Sequence, residues 1–357
     1  MMQKNYNVIG IMSGTSLDGV DLAYISFTKF EKWTYEIIIS ETIGYSDEWI
    51  KILKNIVHLS SDNLESVDIN YTNLLSELVL DFIKRHNIKN IDAICSHGHT
   101  AFHKPDLGKT YQIGNLPLLA TFVNQLLVCD FRTQDVNLGG QGAPLVPLGD
   151  KLLFSNYDAC LNLGGFSNIS LDLNNERVAF DICPINIVLN ELVSTIGLKY
   201  DDKGHLASKG KLHIELYFKL NQLEYYKKPY PKSLGLEWVN DVFFPIIKSY
   251  EISLEDKLHT LVEHMAFQIS EVIKSCHTVL FTGGGVYNTY LMSRINHFSE
   301  IKIIIPDSKL IEFKEALIFG FLGVLKLRNE VNCLASVTGA SKNHSSGKIF
   351  RPTNSIV

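Results

Sequence analysis

Cysteine is sparse and scattered. Six occur in 357 residues, at Cys95, Cys129, Cys160, Cys183, Cys276 and Cys333, with no CxxC pair and no metal-ligand spacing. That excludes a zinc-ribbon module and a disulfide-stapled secreted scaffold. Most fall inside apolar runs and read as reduced core thiols. An excess of basic charge is lacking too: 33 Lys and Arg stand against 38 Asp and Glu, a net charge of −5. A nucleic-acid partner, which calls for a basic patch, is not expected. No apolar run approaches the ~20 residues of a membrane span, and the opening stretch MMQKNYNVIGIMSG has no long apolar signal core. The expectation is a soluble cytoplasmic chain with neither a nucleic-acid nor a membrane partner. What is present is apolar material for a large core, 46% hydrophobic against 20% charged. At ~150 residues per domain the length makes about two domains.

Apolar, β-branched runs bounded by turn residues predict strands over Tyr6 to Met12, Asp21 to Phe27 and Tyr35 to Ile43. Helical periodicity follows in Trp49 to Val57 and Leu64 to Arg85, then a strand Ile91 to Cys95, a helix Pro117 to Leu126 and a strand Leu127 to Phe131. The second half repeats the order. Strands are predicted over Asp158 to Leu163, Ser167 to Leu173 and Arg177 to Ile182. Helices Pro184 to Ile196 and Leu258 to Lys274 come next, then a strand Thr278 to Thr282 and a helix Val286 to His297. A strand Ile301 to Ile305 and a long helix Lys309 to Arg328 complete the half. Two βββαβαβα halves imply two related α/β domains with a cleft between them. The predicted bounds are 1–131 and 132–340, with a tail of about 340–357 returning to the first. Leu223 to Trp238, with two prolines and three tyrosines, interrupts the pattern as a surface insertion or a substrate-side loop.

Three Gly-rich turns end strands: Gly14 to Gly19, Gly164-Gly165, and Gly283-Gly284-Gly285. Glycine lets backbone N–H groups approach an anion, so three such turns at corresponding places suggest a nucleotide cleft. None fits GxxxxGK[ST] or GxGxxG, which removes P-loop and Rossmann readings. In the first turn Thr15 and Ser16 can donate to phosphate, whereas Asp18 and Asp21 need an intervening cation such as Mg²⁺. Turn chemistry is the competing reading for Asp18, and a strand-edge carboxylate that for Asp21. Asp181, after apolar Val178-Ala179-Phe180 at a strand's end, suits general-base work at a cleft rim or an N-cap on the next helix. Arg132 is either an anion clamp or the ion-pair partner of Asp130 or a nearby carboxylate. Ser96-His97-Gly98-His99-Thr100 lacks the ligands of a metal site and reads as loop histidines that bond a polar substrate. On the last long helix, Ala316, Gly320 and Gly323 share one side, which predicts close packing on another helix at a domain crossing. Glu315, in its early turns, serves the helix dipole or the site.

The stretches GIMSGTSLDGVD (10–21), SHGHTAFH (96–103), DFRTQDVNLGGQGAPLVP (130–147), LNLGGFSNIS (161–170), PKSLGLEW (231–238), FTGGGVYN (281–288), KEAL (314–317) and SVTGAS (336–341) occur in order. With them the chain resembles the anhydro-N-acetylmuramic acid kinases of the sugar kinase and actin-like superfamily over nearly its whole length. The resemblance implies a ribonuclease H-like, actin-like fold, two βββαβαβα domains forming a clamshell around a nucleotide cleft, and a homodimer. It implies ATP-dependent opening and phosphorylation of 1,6-anhydro-N-acetylmuramic acid to N-acetylmuramic acid 6-phosphate in cell-wall recycling. The alternatives are a non-catalytic sensor of muramyl sugars and a kinase for a different sugar. By position, Gly14, Thr15, Ser16, Leu17, Asp18, Gly19, Val20 and Asp21, with Gly164, Gly165 and Asn168, would hold ATP phosphates, with Mg²⁺ at Asp18. Gly283, Gly284, Gly285 and Asn288 would face the adenosine. Asp181 takes the catalytic aspartate's place, and His97, Asp130, Arg132 and Glu315 would lie toward the sugar. One departure stands out: where many members read Asp-Thr-Gly-Pro-Gly-Asn, this chain has Asp181-Ile182-Cys183-Pro184-Ile185-Asn186, so a hydroxyl and two glycines are gone.

Overall fold

The central strand of the first sheet carries Val8, Ile9 and Ile11, all fully buried. A continuous apolar run of this kind belongs to a strand covered on both faces. The computed structural model describes residues 4–14 and 17–353. It forms strands β1 (Lys4–Met12), β2 (Val20–Lys29), β3 (Trp33–Ile43), β4 (Ala93–Ser96), β5 (His99–Lys104), β6 (Lys109–Ile113) and β7 (Leu127–Cys129). Strands β8 (Ala159–Leu163), β9 (Phe166–Leu173), β10 (Glu176–Pro184), β11 (Thr278–Thr282), β12 (Lys302–Ile304) and β13 (Lys348–Phe350) follow.

The chain divides into two compact units, Met1–Leu153 with Phe313–Val357, and Phe154–Glu312. The first unit's large sheet has the order β13-β7-β4-β1-β2-β3, and the second unit's sheet the order β10-β9-β8-β11-β12. Apart from β13, the order is the same in both. Each begins with an antiparallel meander, and each first strand then pairs in parallel with the strand that returns after a helical crossover. The duplicated order read from the sequence therefore corresponds to duplicated topology. Each unit has its own core. Leu22, Tyr71, Leu75 and Phe82 pack in the first, and Leu161, Leu258, Val262 and Phe281 in the second.

Residues 132–153 and 313–340, grouped with the second domain from sequence, belong to the first unit. Long-range contacts hold them there. The helix Val146–Leu153 presents Asp150 to Lys314, with Oδ1 2.9 Å from Nζ and both side chains buried. A Cβ on Gly149 would touch Ile318 at 2.8 Å. The C-terminal segment then adds β13 antiparallel to β7. The helix Ser308–Leu327 leaves helical geometry at Phe313 (φ −110°, ψ 15°), the residue where the chain re-enters the first unit.

The small residues of that helix lie on the first unit's own sheet, not on another helix at a domain crossing. A Cβ on Gly10 of β1 would stand 2.1 Å from Ala316 O, and one on Gly323 would stand 2.2 Å from Cys95 Sγ in β4. Their smallness lets helix and sheet backbones approach.

Local signals set the helix starts. Ser46 Oγ accepts from Trp49 N ahead of the helix Asp47–Lys54, and Ser253 Oγ accepts from Asp256 N ahead of Leu254–Ile273. Each satisfies an orphan N–H of a first turn. Among the described residues no helix is long and apolar enough to cross a membrane.

Candidate active site

In the second unit four polar side chains stand in register across four adjacent strands. Thr282 of β11 pairs with Asn162 of β8, Asn162 with Asn168 of β9, and Asn168 with Asp181 of β10. Partners directly opposite on neighbouring strands point to the same face, so these residues make a polar row. Their exposure runs from buried Thr282 through half-buried Asn162 and Asp181 to exposed Asn168. The row lies at the carboxyl ends of β8 and β11, with Thr282 the last residue of β11 and Asn162 the last but one of β8, beside Gly164 and Gly165, which is where open α/β sheets take ligands.

Asp181 does not end its strand. β10 runs on to Pro184, with a bulge between Asp181 and Cys183. A bulge inserts one residue and re-aims its neighbours. Nor does Asp181 cap the following helix, because Asn186–Ser194 has Ile185 at its N-cap position with no side-chain cap. The carboxylate serves the insertion instead. Asp181 Oδ2 accepts from Leu234 N at 2.8 Å, its carbonyl accepts from Tyr225 Oη at 2.6 Å, and its N–H donates to Lys232 O at 3.1 Å. Tyr230 stacks on Phe180 at 5.8 Å. Leu223 to Trp238 is thus a strap over this strand. Burial raises the Asp181 carboxyl above its usual range, and the Leu234 N–H partly offsets that.

Where the chain departs from the family's pattern, the replacements face inward. Ile182, Cys183 and Ile185 are buried in the second core, so they do not join the polar row.

The glycine turns divide by what they face. A Cβ on Gly283 (φ +83°) would stand 2.5 Å from Asn162 Oδ1, and one on Gly285 would stand 2.6 Å from Leu163 Cβ, whereas one on Gly284 would meet nothing within 4 Å among the described residues. Gly283 and Gly285 are therefore glycine for packing, and Gly284 presents an open face. Gly164 and Gly165 offer their carbonyls to the amides of Ile185, Asn186 and Ile187. Asn288 Oδ1 caps the helix Thr289–Phe298 through Leu291 N at 3.0 Å.

In the first unit the turn joining β1 and β2 holds Gly14, Leu17 (φ 60°) and exposed Asp18, with Thr15 and Ser16 outside the described residues. Gly19 packs so tightly that a Cβ would stand 2.3 Å from Ile43 O. Val20 is fully buried at the start of β2, and Asp21 Oδ1 accepts from Thr42 Oγ1 at 2.6 Å. Ser13 anchors the turn: its Oγ lies 2.8 Å from His99 Nδ1 and 2.6 Å from Tyr45 Oη, which reaches Tyr71 Oη. Burial lowers His99 to a pKa of about 4, so a neutral imidazole holds Ser13. None of these anchors was selected from sequence, and only the isolated SHGH stretch hinted at His99.

Arg132 does not pair with Asp130, which takes Lys348 Nζ at 2.8 Å. Its Nε donates to His97 Nε2 at 2.9 Å and its Nη1 to Gly142 O at 2.6 Å. Because His97 Nε2 accepts, its Nδ1 carries the proton and donates to Gly98 O at 2.8 Å. Both ring nitrogens of His97 are thus used within the protein, and His97 orients Arg132. Burial and Arg132 push His97 well below the usual histidine range. Burial, moderated by Glu315, pulls Arg132 down to about 10. Glu315 is exposed by area, yet its carboxyl is crowded by protein and is raised above the usual range despite Arg132.

Two sheets of the same strand order apart from β13, each a meander followed by a parallel return strand, define a duplicated α/β chain. A family model described as anhydro-N-acetylmuramic acid kinase matches residues 6–352, and the chain belongs to that family. The anhydro-N-acetylmuramic acid kinase of Haemophilus influenzae is 32% identical, covering 96% of this chain and 97% of its own. That of Sulfurimonas denitrificans is 31% identical, covering 96% and 98%. A ROK family glucokinase from Streptomyces griseus, solved with glucose and AMPPNP, shares 9% identity at a TM-score of 0.39, covering 88% of this chain and 98% of its own. A likeness at that level adds nothing to the assignment.

Proposed function

We propose that this chain uses ATP to convert 1,6-anhydro-N-acetylmuramic acid to N-acetylmuramic acid 6-phosphate, as a homodimeric cytoplasmic kinase of cell-wall recycling. The observation that carries the reading is Asp181: a carboxylate raised by burial, aimed by a bulge, held by the Leu234 N–H, and in line with Asn168, Asn162 and Thr282. Asp181 removes a proton from water as the water oxygen bonds to C1. The C1–O6 bond breaks with its electrons on O6, which bonds to the γ-phosphorus as ADP leaves. Attack from the face opposite the bridge inverts C1, as in inverting glycosidases, and the phosphoryl group takes the place of a protonating acid.

Gly14, Thr15, Ser16, Leu17, Gly19, Val20, Gly164, Gly165 and Asn168 are assigned to the phosphates. Gly283 to Gly285 and Asn288 are assigned to the adenosine, with Gly284 offering the open face. Arg132, oriented by His97, together with Glu315 and Asp130, is assigned to the sugar. For Mg²⁺ the donor set favours Asp18, which is solvent-exposed, over Asp21, which is bonded to Thr42. Asp18 would hold such an ion, which would offset phosphate charge.

Turnover in ¹⁸O-water tests the reading. Mass spectrometry at early times, against unlabelled product incubated in the same water, should find label at C1 and none in the phosphate. Phosphorylated sugar with its bridge intact, or no ADP release with this sugar, would overturn it.

A further inference from the structure

We propose that Asp135, Cys333 and His344 form a zinc site that ties the C-terminal segment to the loop carrying Arg132. These residues lie far apart in sequence, yet their ligating atoms all fall within 4.8 Å of one another, and all three are buried. Cys333 Sγ is 3.0 Å and His344 Nε2 3.6 Å from Asp135 Oδ1. Cys333 and His344 face each other across an antiparallel bridge, with reciprocal backbone bonds of 3.1 and 3.2 Å, so their side chains leave the same face as a chelating pair.

Hydrogen bonding accounts for only part of this cluster. Asp135 Oδ1 accepts from Thr338 Oγ1 at 2.7 Å and from the Cys333 thiol, and Oδ2 accepts from Gly142 N at 2.7 Å. His344 Nδ1 has the Lys342 carbonyl at 3.1 Å, but its Nε2 is buried, points into the cluster and has no hydrogen-bond partner among the described residues. A buried polar atom left unmade costs free energy, and an ion supplies the missing partner. One thiolate, one carboxylate and a neutral imidazole balance a divalent charge. That suits burial, and the mixed S, O, N set suits tetrahedral zinc with the fourth position left to water or the Thr338 hydroxyl. Binding replaces the thiol S–H bond with an S–Zn bond, and the proton passes to solvent. The Gly142 N–H fixes the carboxylate from its far oxygen, as outer partners of metal ligands do. Gly142 O in turn accepts from Arg132, so the ion would bear on the arginine's anchor.

The tag-free full chain, purified without chelator, should retain stoichiometric zinc by elemental analysis. Its cobalt-loaded form should show a thiolate-to-cobalt charge-transfer band. Cys333→Ser and His344→Gln should each weaken zinc by at least about 100-fold and remove that band, while Cys276→Ser leaves both. A folded wild-type chain that holds no zinc and shows no charge-transfer band with cobalt would overturn the proposal and leave the cluster as hydrogen bonding alone. Because the wild-type measurement decides, misfolding of a variant does not rescue the idea.

Discussion

The Leu234 N–H donates to Asp181 Oδ2 at 2.8 Å across 53 residues of chain. The strap that supplies it also bonds the Asp181 backbone on both sides, through Tyr225 and Lys232. The bulge sets the carboxylate's direction and the strap holds it there. A general base needs its orientation fixed before its pKa is of use.

Asp181→Asn keeps an acceptor for Leu234 but cannot take a proton. Turnover should fall by roughly 10² to 10⁴-fold with ATP affinity nearly unchanged, read by ADP release and calorimetry. In the unmodified chain the raised carboxyl should place the acidic limb of kcat/KM above the ordinary aspartate value of about 3.9, with activity lost as pH falls through it. Near-normal turnover of the variant would remove Asp181 from the mechanism.

Adjacent glycines should respond differently. Gly283→Ala places a Cβ 2.5 Å from Asn162 Oδ1 at φ +83° and should cost about 1–3 kcal/mol. Gly284→Ala meets nothing within 4 Å among the described residues and should stay within about 0.5 kcal/mol while weakening ATP. Denaturant midpoints and nucleotide affinity separate the two, and equal loss of stability would contradict the packing argument.

Arg132→Lys keeps the charge but cannot reach His97 Nε2 and Gly142 O together. Losing one charged hydrogen bond, about 1.5–3 kcal/mol, should lower kcat/KM for the sugar by roughly 10- to 100-fold with the KM for ATP unmoved. A variant whose loss falls on ATP instead would place Arg132 on the wrong ligand.

Two histidines should make the protein acid-sensitive before its carboxylates do. Burial holds His99 at a pKa of about 4 and His264 at about 3. Neutral His264 lies between Tyr226 Oη at 2.8 Å and Asn221 Oδ1 at 2.6 Å. Both values lie below the unfolded histidine's, so the stabilisation is full above pH ~6.5 and is lost as pH falls toward the folded values. Each should cost about 2 kcal/mol at pH 5. Urea midpoints that stay level between pH 7 and pH 5 would contradict burial of the neutral rings.

The repeated strand and helix order, the glycine turns and the carboxylate at 181 were legible because turn chemistry and hydrophobic periodicity act over a few residues. The resemblance named the family from the same local stretches. The row Thr282, Asn162, Asn168 and Asp181 was not legible, since it depends on strand register, and register is settled by pairings between distant segments. The bulge after Asp181 is hidden for the same reason, so periodicity stops the strand at Ile182 where the structure carries it to Pro184. Arg132's partners, left open between a clamp and an ion pair, were decided by a histidine 35 residues away and a carbonyl 10 away. The small residues of the last long helix showed that something packs closely, but a sheet and a helix ask for the same smallness. Cysteines without metal-ligand spacing excluded a local zinc module, yet Cys333, His344 and Asp135 meet because an antiparallel bridge and the return of the C-terminal segment bring them together. Spacing along a chain reports only those sites whose ligands are near neighbours in it. Burial, register and long-range hydrogen bonds arise when the cores form, and only the tertiary structure carries them.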